Sequence, residues 1–282
     1  MRPLCHVYYV SRQIMIVLLV SVSVLLYLLS AGLLFQRLST GPQASERSKF
    51  LALIPGTLAV LLHLMVLYDL IILPQGLNLS LLHVFSLTAW VVASVVMFSA
   101  MRQPVENLGI AVLPIAAVAL LLQSVMPLDT GKLTIDTTGV KLHILLSIFS
   151  FSLLTIAAIQ SVLLAIQTRH LRNRHPGGFI RALPPLETME QLLFRMIAVG
   201  YLLLSMALLT GATFIEDIFA QHLVHKTVLA FIAWVVFAVL LWGRWRFGWR
   251  GRIAIRWTIS GYVVLMLAYF GSKLVLELIL QR

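Results

Sequence analysis

Eight long apolar runs divide this sequence, and each approaches the about 20 residues that an α-helix needs to cross a bilayer. They occupy residues 14–35, 50–73, 80–100, 110–126, 142–166, 193–215, 224–241 and 259–280. With 60% hydrophobic and only 11% charged residues, the chain has more apolar surface than a soluble domain of this size can bury. We therefore predict an all-α, polytopic membrane protein of about eight transmembrane helices, forming a single integral-membrane domain over residues 1–282.

The basic residues predict how these helices are oriented. The connections after the first, third, fifth and seventh runs, together with Arg195 at the start of the sixth run, hold 14 of the 21 lysines and arginines, and the other side holds 7. Positive charge marks the cytoplasmic side, so we expect both termini on the outer, periplasmic side and a cytoplasmic loop at 167–192. A cleaved signal peptide is the alternative for the first run, but that run exceeds a usual signal core. The net charge of +11 is explained by these loops, and we expect no nucleic-acid partner.

Sequence motifs for catalysis are absent. Cys5 is the single cysteine, which excludes an intramolecular disulfide and a CxxC redox pair. No dinucleotide fingerprint, P-loop, HExxH or serine elbow occurs. We expect a protein that is not an enzyme.

Histidines gather toward the predicted outer face. Helical rise places five of the eight in that layer: His63, His83, His143, His222 and His225. Neutral imidazole ligates iron, copper or zinc, and haem sites in helical bundles use histidines on facing helices. The pattern indicates a haem or metal site near the outer surface.

Each histidine also has a structural interpretation. A histidine at a helix end is commonly an interfacial residue, which applies to His83, His222 and His225. His143 is followed at helical spacing by Ser147 and Ser150, and this small polar stripe should face the bundle interior. His63 lies within a span, where an ionisable residue is either functional or hydrogen-bonded to a neighbouring helix.

Other ionisable groups are expected in the same layer. They are Asp69, Lys226, Lys273 and Glu277. The cations could meet haem propionates, or the groups could pair with one another. At the cytoplasmic border, tryptophans alternate with arginines over residues 242–252, as in an aromatic belt beside orienting charges, with an anionic-lipid contact as the alternative.

Five sequence segments, taken in their order along the chain, resemble those of a known family. They lie at residues 77–90, 140–154, 183–212, 225–244 and 248–273. Their order and spacing resemble the cytochrome c assembly family, the CcsA, CcmC and HemX-like haem-handling membrane proteins, and within it the YpjD-type branch of the bacterial inner membrane.

The resemblance implies a b-type haem site whose iron ligand is His143, the counterpart of the family's outward histidine. His63 resembles a histidine buried in an early span, and Lys226 matches the lysine that closes the family's tryptophan-rich segment. That segment, residues 216–225, contains no tryptophan here, Trp242 stands where a second buried histidine is expected, and the later outward HSYG is missing before Arg282. His83, His222 or His225 is then expected to supply the second axial ligand.

The expected function is haem binding or haem handling of the cytochrome c assembly type, in the bacterial inner membrane. The expected partners are membrane lipid and other cytochrome c maturation or membrane proteins. Two alternatives stay open. One is an accessory subunit that kept the fold without haem, and the other is a small ion-coupled transporter using His63, Asp69 and Lys273 as a relay.

Overall fold

The computed structural model describes residues 2–40, 46–73, 76–77, 80–103, 105–126, 138–173, 183–214 and 221–271. Its elements are α1 (Arg2–Thr40), α2 (Glu46–Ile71), β1 (Ile72–Leu73), β2 (Gly76–Leu77), α3 (Leu81–Arg102), α4 (Glu106–Val125), α5 (Thr138–Arg172), α6 (Leu186–Phe214), α7 (Gln221–Phe247), α8 (Gly251–Met266) and a π-helical turn (Leu267–Gly271). The two short strands pair antiparallel, with Ile72 opposite Leu77.

Each of the eight predicted spans is helical over most of its described residues, although Ile72–Leu73 at the end of the second span form β1. Within the described part of the chain, eight helices are long and apolar enough to cross a membrane. Helices prevail because a chain in lipid must satisfy its backbone hydrogen bonds within the segment. Large apolar side chains point outward, as shown by Leu25 at 67% and Leu209 at 68% exposure. Such exposure is expected where the surrounding solvent is hydrocarbon.

Several helices extend beyond the predicted spans, α1 most of all, since it begins at Arg2 and the predicted run begins at 14. α8 begins at Gly251, eight residues before the predicted start at 259, and residues 272–280 of that span lie outside the described part. Gly248 (φ 68°) and Gly251 (φ 54°) take the left-handed conformation that glycine adopts without steric cost, so α7 and α8 are joined by a very short turn. Within the predicted loop at 167–192, α5 continues to Arg172 and α6 starts at Leu186.

The chain divides into two compact units, Met1–Leu133 and Thr134–Arg282. In the first, α1 packs against α2 and α4, and α3 packs against the same two helices. In the second, α5 packs against α6 and α8, and α7 packs against the same two. Each unit is thus a ring of four helices, and the prediction of one membrane domain over 1–282 stays a prediction.

The first unit is held at both ends by ion pairs. Arg12 near the start of α1 contacts Asp69 near the end of α2, at 3.1 Å. At the opposite end, Glu106 at the start of α4 accepts Arg37 at 3.4 Å and Lys49 at 3.2 Å. These contacts require α1 to run antiparallel to both α2 and α4.

Candidate functional site

His143 lies in the second turn of α5 and packs on the last turns of α6. Its Nδ1 lies 2.8 Å from the carbonyl oxygen of Ala207 and 3.5 Å from the hydroxyl of Thr210. The ring also lies against Gly211, where an added Cβ would stand 2.9 Å from His143 Cε1. The glycine allows the imidazole to approach the α6 backbone closely.

The hydrogen bond to Ala207 determines which ring nitrogen of His143 is available. A carbonyl oxygen only accepts, so Nδ1 carries the hydrogen and donates. In the neutral ring Nε2 then keeps its lone pair. A Nδ1–H bond to a backbone carbonyl is the arrangement that orients a metal-ligating histidine. In this tautomer Nε2 is the ring nitrogen of His143 that could bind a metal.

The polar stripe after His143 faces the neighbouring helix, as predicted. Ser150 is fully buried and donates to the carbonyl of Gly200 at 2.9 Å. Ser147 is half-buried. Small polar residues let α5 and α6 approach closely, and a buried hydroxyl finds a backbone acceptor there.

His63 occupies a different environment, in the core of the first unit. It is completely buried, and its Nδ1 lies 3.1 Å from the Tyr27 hydroxyl while its Nε2 lies 2.9 Å from the Ser86 hydroxyl. Whichever tautomer is present, one nitrogen donates and the other accepts. Through these two hydrogen bonds His63, on α2, is connected to α1 and α3. The sequence left two interpretations of His63, a functional residue or one hydrogen-bonded to a neighbouring helix, and the structure shows these hydrogen bonds.

The remaining predicted ligands lie at helix starts. His83 is buried in the first turn of α3, where its Nδ1 is hydrogen-bonded to the Ser80 hydroxyl. In α7, His225 is exposed and Lys226 is half-buried. The backbone of His222 is part of α7, but its side chain lies outside the described residues.

Within the second unit, His143 and His225 lie at one end. α5 and α7 both start there, because α6 runs antiparallel to its sequence neighbours around the ring. Among the described residues, no group of three or more His, Cys, Asp or Glu side chains could hold a bare metal ion. Haem iron takes one or two protein ligands, and imidazole is among them, so the side chains of His143 and His225 have the chemistry that a haem site requires.

Ion pairing was only partly predictable. Asp69 pairs with Arg12, whereas Lys273 and Glu277 lie outside the described residues. The pairing of Glu106 with two cations was missed by the sequence analysis. The signal was available, since Glu106 falls at the same predicted membrane border as Arg37 and Lys49.

The segment of arginines and tryptophans at 242–252 forms the end of α7, the turn and the start of α8, and its side chains contact α6. Arg244 lies over the ring of Phe194, 4.6 Å from its centroid, and donates to the Trp249 carbonyl at 3.2 Å. Glu190 accepts the N–H of Gly251 at 2.8 Å and lies 3.8 Å from Arg250. These contacts tie the start of α8 to α6, beyond the orienting role that the sequence indicated.

Known proteins resemble this chain over much of its length. The family described as cytochrome C assembly protein matches residues 51–280. Inner membrane protein YpjD of Escherichia coli K12 is 36% identical over 268 residues, covering 93% of this chain and 97% of the relative. Cytochrome c biogenesis protein CcsA of Prochlorococcus marinus MIT 9303 is 33% identical over 90 residues, 31% of this chain and 28% of the relative. No solved structure matches.

Proposed function

This chain belongs to the cytochrome c assembly protein family, and from that premise we propose that it binds a b-type haem through His143 Nε2. It is a multi-pass protein of the bacterial inner membrane, and family membership supports a role in haem handling during cytochrome c biogenesis. The observation that carries the proposal is the His143 Nδ1–H bond to Ala207, which leaves Nε2 to ligate iron.

The second unit would hold the group with residues from two helix starts. His143 would supply one iron ligand, and His225, exposed at the same end, would be available as another. His222 remains a predicted alternative in this unit, with its side chain outside the described residues, and His83 belongs to the first unit. Lys226 would face a propionate. When bound, haem supplies an iron that accepts imidazole and two carboxylates that need cationic partners. With Cys5 as the single cysteine and no CxxCH motif, covalent thioether attachment is not expected, which favours the b type.

We further propose that the protein is not an enzyme and that it handles haem at the outer face, with membrane-bound cytochrome c maturation proteins as partners. The proposed orientation places both termini outside and the 167–192 connection in the cytoplasm. Its support is that the arginines of α5, α7 and α8 lie together at the end of the second unit opposite His143. For the alternative of a transporter relay, His63 and Asp69 each have a structural partner, and Lys273 lies outside the described residues.

The test is the absorption spectrum of the full chain supplied with haem. We expect His143→Ala to remove the Soret band or to convert a six-coordinate low-spin spectrum to high spin. His170→Ala is the matched control, because His170 lies on the same helix and its Nδ1 also contacts a carbonyl, that of Ile166 at 3.0 Å, but at the opposite end. The control should keep the wild-type spectrum.

An unchanged haem content and spectrum in His143→Ala would remove the assignment. A wild-type protein that takes up no haem would replace it with the alternative of an accessory subunit.

A further inference from the structure

A cavity of about 490 Å³ opens between the last turns of α5 and the first turns of α8, within the second unit. Its polar lining is contributed by Thr168, Arg169, Arg172, Asn173, Arg252 and Arg256. The arginines come in two pairs, spaced three apart on α5 and four apart on α8. These spacings put each pair on one helix face, so four guanidinium groups surround a single space.

The positive charge of this cavity is not neutralised by carboxylates in the part of the chain that the structure describes. No ion pair joins any of the four arginines to an acidic side chain there. In the sequence, the connection 174–182 contains no Asp or Glu. The carboxylate of Glu190, at this end of α6, is engaged by Gly251 and Arg250 and does not line the cavity.

The four positive charges around this cavity repel one another. An anion bound between them is attracted by all four, and this attraction offsets the repulsion. Guanidinium groups present forked donors that match the oxygens of a phosphate. The volume lies in the range of sites that bind small molecules. The cavity also lies at helix ends, where phospholipid head groups meet a membrane protein.

We propose that this arginine cavity binds a phosphate-bearing anion, with the head group of an anionic phospholipid as its source at the membrane surface. A soluble phosphate compound carries the same chemistry and is distinguished by the experiment below. The site lies at the opposite end of the second unit from His143 and does not depend on haem binding.

The experiment measures the thermal unfolding midpoint of the purified full chain in neutral detergent. Phosphatidylglycerol, phosphatidylcholine and inorganic phosphate are titrated separately. The cavity variant is Arg169→Gln with Arg256→Gln. The matched control is Arg195→Gln with Arg246→Gln, which removes the same charge from exposed arginines of the same unit that do not line the cavity. Arg169→Lys with Arg256→Lys keeps the charge that orients the helices in case the glutamine variant inserts poorly.

Phosphatidylglycerol should stabilise the wild type and the control, and phosphatidylcholine should not. The cavity variant should need on the order of tenfold more phosphatidylglycerol, because each arginine near an anionic head group contributes to the attraction. The lysine variant should fall between the two. If inorganic phosphate alone reproduces this pattern, the site is supported and the source is a soluble phosphate. Equal losses in cavity and control variants, or no stabilisation of the wild type by either anion, would overturn the proposal.

Discussion

Gly211 is the position where a single methyl group tests the proposed role of His143. A Cβ added at Gly211 would lie 2.9 Å from His143 Cε1 and 3.1 Å from Nδ1. Ordinary contact begins at 3.4 Å, so the ring must retreat by about 0.5 Å in Gly211→Ala. Since Ala207 lies one turn earlier on the same helix, this retreat lengthens the 2.8 Å hydrogen bond to about 3.3 Å, beyond the usual range.

Two energies follow from this displacement. Overpacking a helix interface costs about 1–3 kcal/mol, partly offset by the about 0.5–1 kcal/mol that alanine gains over glycine in a helix. Weakening the hydrogen bond that orients a metal-ligating histidine lowers metal affinity about 10- to 100-fold. We therefore expect a modest loss of stability and at least a tenfold loss of haem affinity in Gly211→Ala.

Gly200→Ala is the control for packing alone. Gly200 lies on the same helix and faces the same partner, and its added Cβ would also come within 2.9 Å of a neighbour, which is Leu154 instead of a histidine. Haem titration followed at the Soret band should show wild-type affinity for Gly200→Ala and weakened affinity for Gly211→Ala. Equal haem affinities for the two variants would refute the reasoning that the Ala207 bond prepares His143.

Three further outcomes are expected. Glu106→Gln should destabilise the protein by about 3–5 kcal/mol, because it removes the carboxylate that pairs with two largely buried cations. Asp69→Asn, in a more exposed pair, should cost under about 1 kcal/mol, and thermal unfolding compares the two variants. Tyr27→Phe should cost about 1 kcal/mol and leave haem content unchanged, because it removes a hydrogen bond of His63 in the other unit. A topology reporter fused after Arg181 should report the cytoplasm, and one fused after Thr130 should report the periplasmic side. The same side for both would contradict the predicted orientation.

Membrane spans are predictable from sequence because the bilayer imposes a length and excludes unpaired backbone groups. The start of α8 was mispredicted for a related reason. Arginines at 252 and 256 read as a loop in the hydropathy pattern, although they stand on helical turns that extend beyond the apolar run. Hydropathy marks where a chain is apolar, and helices continue past that point wherever capping and turn geometry allow. Here Glu190 and the two left-handed glycines permit the earlier start.

The sequence predicted which face of α5 carries His143, but it did not predict what that histidine contacts. The stripe of serines after His143 indicated which face of α5 meets a neighbour, since it depends on local spacing. Its partners, Ala207 and Gly211, lie more than 60 residues away and act through a backbone carbonyl and an absent side chain. Neither leaves a local pattern in the sequence. The two hydroxyls that are hydrogen-bonded to His63 lie 36 and 23 residues away on other helices, so these contacts of His63 became visible only in the packed helices.

α5 carries parts of both proposed sites, and its length makes them independent. His143 and Arg169 are 26 residues apart, which at 1.5 Å per residue is about 39 Å along the helix. A hydrocarbon core is about 30 Å thick, so the histidine and the arginine cavity lie near opposite membrane surfaces. Substitutions this far apart, with no shared partner, act additively. Removing the cavity arginines should therefore leave the haem spectrum unchanged, and His143→Ala should leave the phosphatidylglycerol response unchanged; coupling between the two would require a rearrangement of α5 itself.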